Sequence, residues 1–384
     1  MKDHRAIVLS LVVLLLTGCA ARSPSPVAVA DRDRGTSSST VTQWRVEPSF
    51  KYEALCLVGI LNGDPYYREY YAAWCDRLAP QLTPEARAAL AEIKSLIKDQ
   101  AGGIVSASLC LYLSAAPANT LDELIAALEE PETVLAPLRH TPYWDADTDS
   151  QFRAVCPPLH TVLIWMRDAH VEQQWRERVL AKMQPKIDAI RTALQRYDIV
   201  PLVDEYLGQH IADRSIMVYV LNFNAPHGMK LIGNRYITHY SWPIKTIVGT
   251  AGHELMHPPY DLAADAELRE ALDTLRQDPL LMDRVEHHNP SFGYNTFAGF
   301  VEEDCVQALD QFIAERLGVA TDPRERWKEA DDGMHVLAMA LYQLCKEQGY
   351  PSPGVTFRDY LVHVLRAGQL APGRIAELRG RLLG

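Results

Sequence analysis

The hydrophobic residues of this 384-residue chain follow a helical period over most of its length, and this restricts the fold more than any other feature. From residue 48 to about residue 197, leucine, isoleucine and valine recur at three- and four-residue steps between glycine and proline breaks. The pattern changes at residues 215–223 and 235–240, which are rich in β-branched and aromatic residues, as strands are. Helical periodicity then returns from Pro243 onward. The sequence therefore predicts a mainly α protein with a small β-sheet, an α+β fold.

The segments on either side of the second predicted strand complete this outline. Residues 224–234 contain Pro226, Gly228 and Gly233, which interrupt regular structure, and they are predicted to connect the two strands. After the strands, the periodicity predicts helices at residues 243–257, 262–277, 296–317 and 331–348, followed by two shorter ones.

The N-terminus has the features of a bacterial export signal. Lys2 and Arg5 precede a short apolar run at residues 7–16, which is too short to span a bilayer core of about 20 helical residues. The run leads into the tetrapeptide LTGC, which ends at Cys19 and resembles the lipobox of bacterial lipoproteins. That resemblance implies cleavage before Cys19, lipid attachment to its sulfur and anchoring to a membrane. Ala20 after the cysteine implies sorting to the outer membrane, facing the periplasm.

The chain is predicted to have four parts. Residues 1–18 form the signal peptide, and residues 19–43 carry the lipidated cysteine and a flexible tether rich in alanine, serine, proline and threonine. Residues 44–200 form a helical N-terminal region, and residues 201–384 contain the strands and the later helices. A net charge of −11 without clustered lysine and arginine argues against nucleic acid as a partner.

Lipidation of Cys19 would leave six cysteines in an oxidising compartment, an even number that permits disulfides. Their pairing cannot be deduced from sequence. Apolar helix faces in each neighbourhood suggest Cys56 with Cys75 and Cys305 with Cys345, and leave Cys110 and Cys156 unassigned.

The most specific chemical motif is the pentapeptide His253-Glu254-Leu255-Met256-His257. Residues four apart lie one turn above each other on a helix, so the two histidines project from the same face. Two imidazoles placed in this way can bind one Zn²⁺ through their neutral ring nitrogens. Glu254 is offset from that face, so it can reach a water molecule on the metal and act as a general base.

This motif, on a helix that follows a short sheet, resembles the zincin metallopeptidases, whose active-site helix carries HExxH. The metzincin branch of these enzymes requires HExxHxxGxxH, and here Pro258 and Pro259 follow His257, with neither the glycine nor the third histidine. The resemblance therefore implies the gluzincin branch, in which a glutamate from a later helix is the third ligand. The prolines also predict that the helix ends at His257, with the second ligand on its last turn.

Two neighbouring residues compete for the third position. Apolar residues follow Glu303 in an order that resembles the gluzincin pattern, with the polar Gln307 one turn later, where that pattern often supports a metal-binding histidine. A helical wheel instead places Glu302 nearer the centre of the apolar face. The sequence favours Glu303 and leaves Glu302 open.

The resemblance implies a zincin-like core and a zinc-dependent metallopeptidase that acts on peptides or proteins, with Glu254 as general base. Candidates for stabilising the oxyanion are Tyr260, His287, His288, Tyr294 and His335. Two other functions remain open. One is a non-catalytic envelope lipoprotein with a structural zinc site or a partner-binding role, and the other is a zinc hydrolase that acts on cell-wall crosslinks.

Overall fold

The computed structural model describes residues 41–384 except residue 263, and the predicted signal peptide and Cys19 lie outside this part. Its strands are β1 (Gln43–Glu47), β2 (Ser215–Leu221), β3 (Met229–Leu231) and β4 (Arg235–His239). Its α-helices are α1 (Phe50–Leu61), α2 (Pro65–Leu78), α3 (Pro84–Lys94), α4 (Val105–Leu113), α5 (Leu121–Glu129), α6 (Glu132–Leu138), α7 (Ala146–Asp168), α8 (Val171–Trp175), α9 (Ala181–Leu194), α10 (Val200–Leu207), α11 (Ile244–Met256), α12 (Ala266–Asp273), α13 (Pro279–His287), α14 (Phe297–Leu317), α15 (Pro323–Glu329), α16 (Val336–Gln348), α17 (Phe357–Arg366) and α18 (Arg374–Leu383). Short 3₁₀ and π turns extend several of them. The structure confirms the predicted fold class, mainly α with a small β-sheet.

The four described strands form one mixed sheet in the order β1-β2-β4-β3. β1 and β4 both run parallel to β2, whereas β3 runs antiparallel to β4 and forms an edge of the sheet. The prediction that residues 224–234 are only a connection was wrong, since β3 lies within them. A strand of three residues is too short to show the alternation of apolar and polar residues, and the prolines and glycines around it obscure the pattern further. β1 was also missed, because it is a five-residue strand between the predicted tether and the helical pattern that begins at residue 48.

The sheet joins the two halves of the chain that the sequence divides at residue 200. Gln43 pairs with Ser215 at the start of the β1–β2 ladder, so the first described strand and the strand after α10 are neighbours. Thr42 donates a backbone hydrogen bond to the Asp198 carboxylate, which fixes the chain just before β1. The last residue of the predicted tether, Gln43, therefore belongs to the sheet.

Helix α11 packs on the sheet and on α14, and this packing places the predicted motif in the interior. The Tyr236 hydroxyl on β4 donates to the main-chain carbonyl of Ile247 in α11, 3.2 Å away. Gly252 permits the close approach to α14, since a Cβ at that position would lie 3.2 Å from a methyl carbon of Ile313. The Thr296 side chain caps the start of α14 by accepting a hydrogen bond from the Gly299 amide.

The six cysteines among the described residues are all buried and all have free thiols. The suggested pairs Cys56–Cys75 and Cys305–Cys345 were therefore wrong for this structure. The Cys75 thiol instead lies 3.9 Å from the main-chain carbonyl of Ile60. Apolar helix faces identify cysteines that are buried, but they do not show which of these meet. Within the described part of the chain, no helix is both long and apolar enough to cross a membrane.

Candidate metal centre

The two histidines of the motif meet at the C-terminal end of α11. The Nε2 atoms of His253 and His257 lie 3.2 Å apart. His253 is helical, but the helix ends at Met256 and His257 has extended backbone angles (φ −80°, ψ 132°). The second histidine thus lies just after the helix rather than on its last turn, because Pro258 disfavours helical geometry in the residue before it.

Glu303 of α14 contributes a third atom to the same point. Its Oε2 lies 3.4 Å from Nε2 of His257 and 3.6 Å from Nε2 of His253. Glu303 is 2% exposed, and this oxygen has no hydrogen-bond partner in the structure. A buried carboxylate oxygen without a partner is costly, so it marks a place where a cation would be stabilising.

Glu302 lies on the other side of the His257 ring. Its Oε1 lies 3.1 Å from Nδ1 of His257, and its side chain is 29% exposed. The helical wheel misplaces Glu302 because α14 is covered on more than one side, by α11 and by α16. A single apolar stripe therefore does not describe which of its residues are buried. The structure brings Glu303, and not Glu302, to the shared Nε2 positions.

Carboxylates also hold the outward nitrogens of both histidines. Asp310 Oδ2 lies 2.8 Å from Nδ1 of His253, and Glu302 Oε1 occupies the equivalent position beside Nδ1 of His257. Arg326 donates to both Asp310 oxygens and so fixes that carboxylate. Such outer partners fix the orientation of ligating imidazoles and raise their basicity. Asp310 was missed in the sequence, although it lies seven residues after Glu303, two turns along the same helix.

Gln307 has a different role from the predicted one, because it supports the glutamate and not a histidine. Its side-chain amide donates to Oε1 of Glu303, 2.9 Å away. Its own oxygen accepts hydrogen bonds from Arg326 and from the Trp327 indole. One oxygen of Glu303 is thereby fixed, which leaves the other directed at the histidines.

The carboxylates also govern the charge of the two imidazoles. Burial by itself would lower the pKa of His253, but Glu303 and Asp310 outweigh it and hold that pKa well above the usual range. For His257, burial opposes the influence of the nearby Glu302 and Glu303 carboxylates, which raises its pKa to about 9. The surroundings of the histidines thus favour positive charge at this point.

Glu254 lies beside the cluster and is 6% exposed. Burial raises its pKa, whereas the charges of His253, His257 and Lys230 lower it. No hydrogen bond or ion pair to its carboxylate is found among the described residues. A Cβ at Gly228, just before β3, would lie 3.1 Å from Oε1 of Glu254, so only glycine lets the chain pass this close.

The five residues proposed as candidates for stabilising an oxyanion lie in different surroundings. Burial has the larger effect in raising the pKa of the Tyr294 hydroxyl, and Tyr294 is close enough to the cluster for the charge of Glu303 to raise that pKa further. His335 is buried between Asp304 and Asp331 at 2.6 and 3.0 Å, so its ring nitrogens are already bonded. The remaining three have other surroundings: His288 bonds to the carbonyl of Gly293, Tyr260 is buried beside Cys305, and the side chain of His287 is 71% exposed.

The helical N-terminal region also reaches this site, a contact that no local pattern predicts. The Tyr143 hydroxyl, between α6 and α7, donates to the main-chain carbonyl of His257, 2.9 Å away. Two aromatic residues of α2 contact the loop between β2 and β3, Trp74 on Phe223 and Tyr66 on His227. The region therefore forms part of the surroundings of the histidines.

Comparison with known proteins identifies no relative of this chain. No family model matches it, and no curated protein and no solved structure does. The zincin likeness rests on the motif and on the arrangement of the described side chains alone.

Proposed function

We propose that this protein is a zinc-dependent hydrolase of the gluzincin type that cleaves peptide bonds. One observation carries the proposal. Oε2 of Glu303 and the Nε2 atoms of His253 and His257 form a triangle with edges of 3.2, 3.4 and 3.6 Å. Zinc bonds of about 2.0–2.1 Å in tetrahedral geometry require ligand atoms about 3.4 Å apart. The three residues therefore fit a zinc ion, and the unpartnered oxygen of Glu303 would be satisfied by it.

The donor set and the surrounding charge favour zinc over a hard cation. Two imidazole nitrogens and one carboxylate suit zinc, whereas magnesium and calcium prefer oxygen ligands alone. Glu254, Glu302 and Asp310 add negative charge around the three ligand atoms, which favours a divalent cation. Among the described residues the cluster offers three ligands, so a fourth position would remain for water, as in catalytic sites.

A zinc ion held there supplies a Lewis acid that makes water acidic near neutral pH. Glu254 would accept a proton from the attacking water, because its carboxylate is buried beside the ligands and has no hydrogen bond or ion pair within the described part of the chain. It would then carry the proton to the leaving amine. Asp310 and Glu302 keep the imidazoles oriented, so their Nε2 atoms remain directed at the shared point.

The edge strand supports a peptide as substrate. β2 and β4 are interior strands, whereas β3 is an edge of the sheet that contacts α11, the helix of the motif. A strand edge can pair with an extended chain by main-chain hydrogen bonds. Gly228, just before β3, approaches Glu254, so a peptide on this edge would lie near the proposed general base.

We also propose that the protein is a lipoprotein anchored through Cys19, on the basis of the N-terminal sequence alone. Several acyl chains, each contributing about 0.8 kcal/mol per buried CH₂, would hold it at a membrane. A Cys19→Ser variant should lose the lipid mass and leave the membrane fraction. Retention of the variant in that fraction would contradict the anchor.

Zinc content and activity of the purified mature protein test the catalytic proposal. We expect one zinc per chain by elemental analysis and hydrolysis of unstructured peptides. Glu254→Gln should keep the zinc and lose at least about 99% of the activity, since a general base contributes about 10²–10⁴-fold. The proposal is wrong if the wild type binds no zinc or if Glu254→Gln retains full activity. Peptidoglycan fragments in the same assay test the cell-wall alternative, and zinc with no activity on either class would favour the non-catalytic one.

A further inference from the structure

Lys230 is the middle residue of the edge strand and lies on the face of the sheet that covers α11. It pairs with Tyr236 across the β3–β4 ladder, so the two side chains project from the same face. Tyr236 bonds to a carbonyl of α11, which identifies that face. Gly228 lies two residues earlier, and a Cβ built on it would lie close to Thr250 and Glu254 of α11. Lys230 therefore lies beside the general base of the proposed enzyme.

The ammonium group of Lys230 is partly buried and lies in the field of Glu254 without forming an ion pair with it. In the described part of the chain it has no hydrogen bond, ion pair or aromatic ring as a partner. Lys51, another buried lysine, instead donates to the main-chain carbonyl of Ala116 at 3.1 Å. Burial lowers the pKa of Lys230 to about 8, against the opposing influence of Glu254. Removing an ammonium from water without pairing it is costly, and such groups are usually found with a partner.

A carboxylate on the substrate would provide that partner. A peptide that pairs with β3 places every second side chain on the face of Lys230, since strand side chains alternate between faces. An ammonium–carboxylate hydrogen bond is about twice as strong as a neutral one. We propose that Lys230 binds a carboxylate of the substrate, so that the protein prefers peptides with an acidic residue near the scissile bond. This inference rests on the proposed function.

Matched peptides that differ only in glutamate against glutamine, at each position around a fixed cleavage site, test the inference. We expect the wild type to cleave the best glutamate peptide with a kcat/KM at least about tenfold above that of its glutamine counterpart. Lys230→Met keeps the apolar stem and should reduce the ratio of the two kcat/KM values to below about twofold, chiefly by slowing cleavage of the glutamate peptide. Lys230→Arg should retain part of the preference. Lys245→Met, an exposed lysine of α11, is the matched control and should leave the ratio unchanged.

The outcomes separate this inference from the proposed function. If the wild type has no glutamate preference, or if Lys230→Met slows both peptides equally, Lys230 does not select an acidic group. Equal slowing would show that it stabilises the reaction itself. Calorimetric binding of the same peptides to zinc-loaded Glu254→Gln, with and without Lys230→Met, needs no turnover. Tighter glutamate binding that depends on Lys230 supports the inference even if hydrolysis fails, and its absence overturns it. Thermal unfolding verifies that each variant is folded.

Discussion

The Tyr143 hydroxyl donates a hydrogen bond to the main-chain carbonyl of His257, 2.9 Å away, across 114 residues of sequence. It is a direct link from the helical N-terminal region to the second histidine of the motif. Because α11 ends at Met256, the helix does not itself fix the backbone of His257. The link therefore restrains the one residue of the cluster whose backbone lies outside regular structure.

Tyr143→Phe should weaken zinc binding without unfolding the protein. Loss of one hydrogen bond costs about 1 kcal/mol, which corresponds to roughly fivefold in zinc affinity if the bond acts on the position of His257. Competition with a chromophoric chelator measures the affinity. Tyr350→Phe is the control, since Tyr350 donates the same kind of bond to the carbonyl of Tyr206 away from the cluster. Equal zinc affinity in both variants would contradict a role for Tyr143 at the site.

Glu303→Gln and Glu302→Gln should differ in their effect on zinc. The first removes the charged oxygen shared by both histidines, so we expect affinity to fall by more than about 100-fold. The second alters only an outer partner of His257, for which losses of about 10–100-fold are typical. Metal titration of the two variants under identical conditions gives the comparison. The reverse order would make Glu302 the ligand.

Zinc should stabilise the folded chain measurably. At a free concentration about 100 times Kd, a ligand that binds only the folded state raises the free energy of unfolding by about 2.7 kcal/mol. His253→Ala should abolish this increase, whereas Glu254→Gln should keep it because Glu254 is not a ligand. Thermal unfolding with added zinc and with chelator measures the effect. A wild type that unfolds at the same temperature in both conditions would exclude a zinc site in the folded protein.

Glu53 should make stability depend on pH in a defined window. Its carboxylate accepts hydrogen bonds from the Trp175 indole and from the amides of Asn222 and Phe223, yet burial raises its pKa to about 7. Between about pH 4.5 and 7 the folded chain holds a proton that the unfolded chain has released. Its contribution to stability is thus fully present below pH 4.5 and is lost as the pH rises through 7, at about 1.4 kcal/mol per unit.

Urea unfolding from pH 5 to pH 8 tests this dependence. Glu53→Gln removes the ionisable group, so the wild type should lose stability relative to this variant across the window. Above pH 8 the difference should be constant. Glu69→Gln, at an exposed position of α2, is the control and should follow the wild type. Parallel curves for the wild type and Glu53→Gln would show that the pKa of Glu53 is not raised.

Local pattern was sufficient for the long elements of the fold. The extents of α11 and α14 follow from helical periodicity, and β2 and β4 follow from runs of β-branched residues, because each signal extends over at least five residues. β3 escaped detection because it has only three residues. β1 escaped because it lies between the predicted tether and the first helical pattern and pairs with β2, which is distant in sequence. The suggested cysteine pairs were wrong because apolar helix faces show which cysteines are buried and not which of them are in contact.

The amino-acid sequence was sufficient to identify the pair of histidines, because a spacing of four residues at the end of a helix brings them to the same side. It was also sufficient to predict the two adjacent glutamates, Glu302 and Glu303, on a later helix and the end of α11 before the prolines. Which glutamate meets the Nε2 atoms depends on how α14 is buried between α11 and α16, and this follows from tertiary packing. The same holds for Asp310, Tyr143 and Lys230. Their positions at the site arise from packing between elements, which no local period encodes.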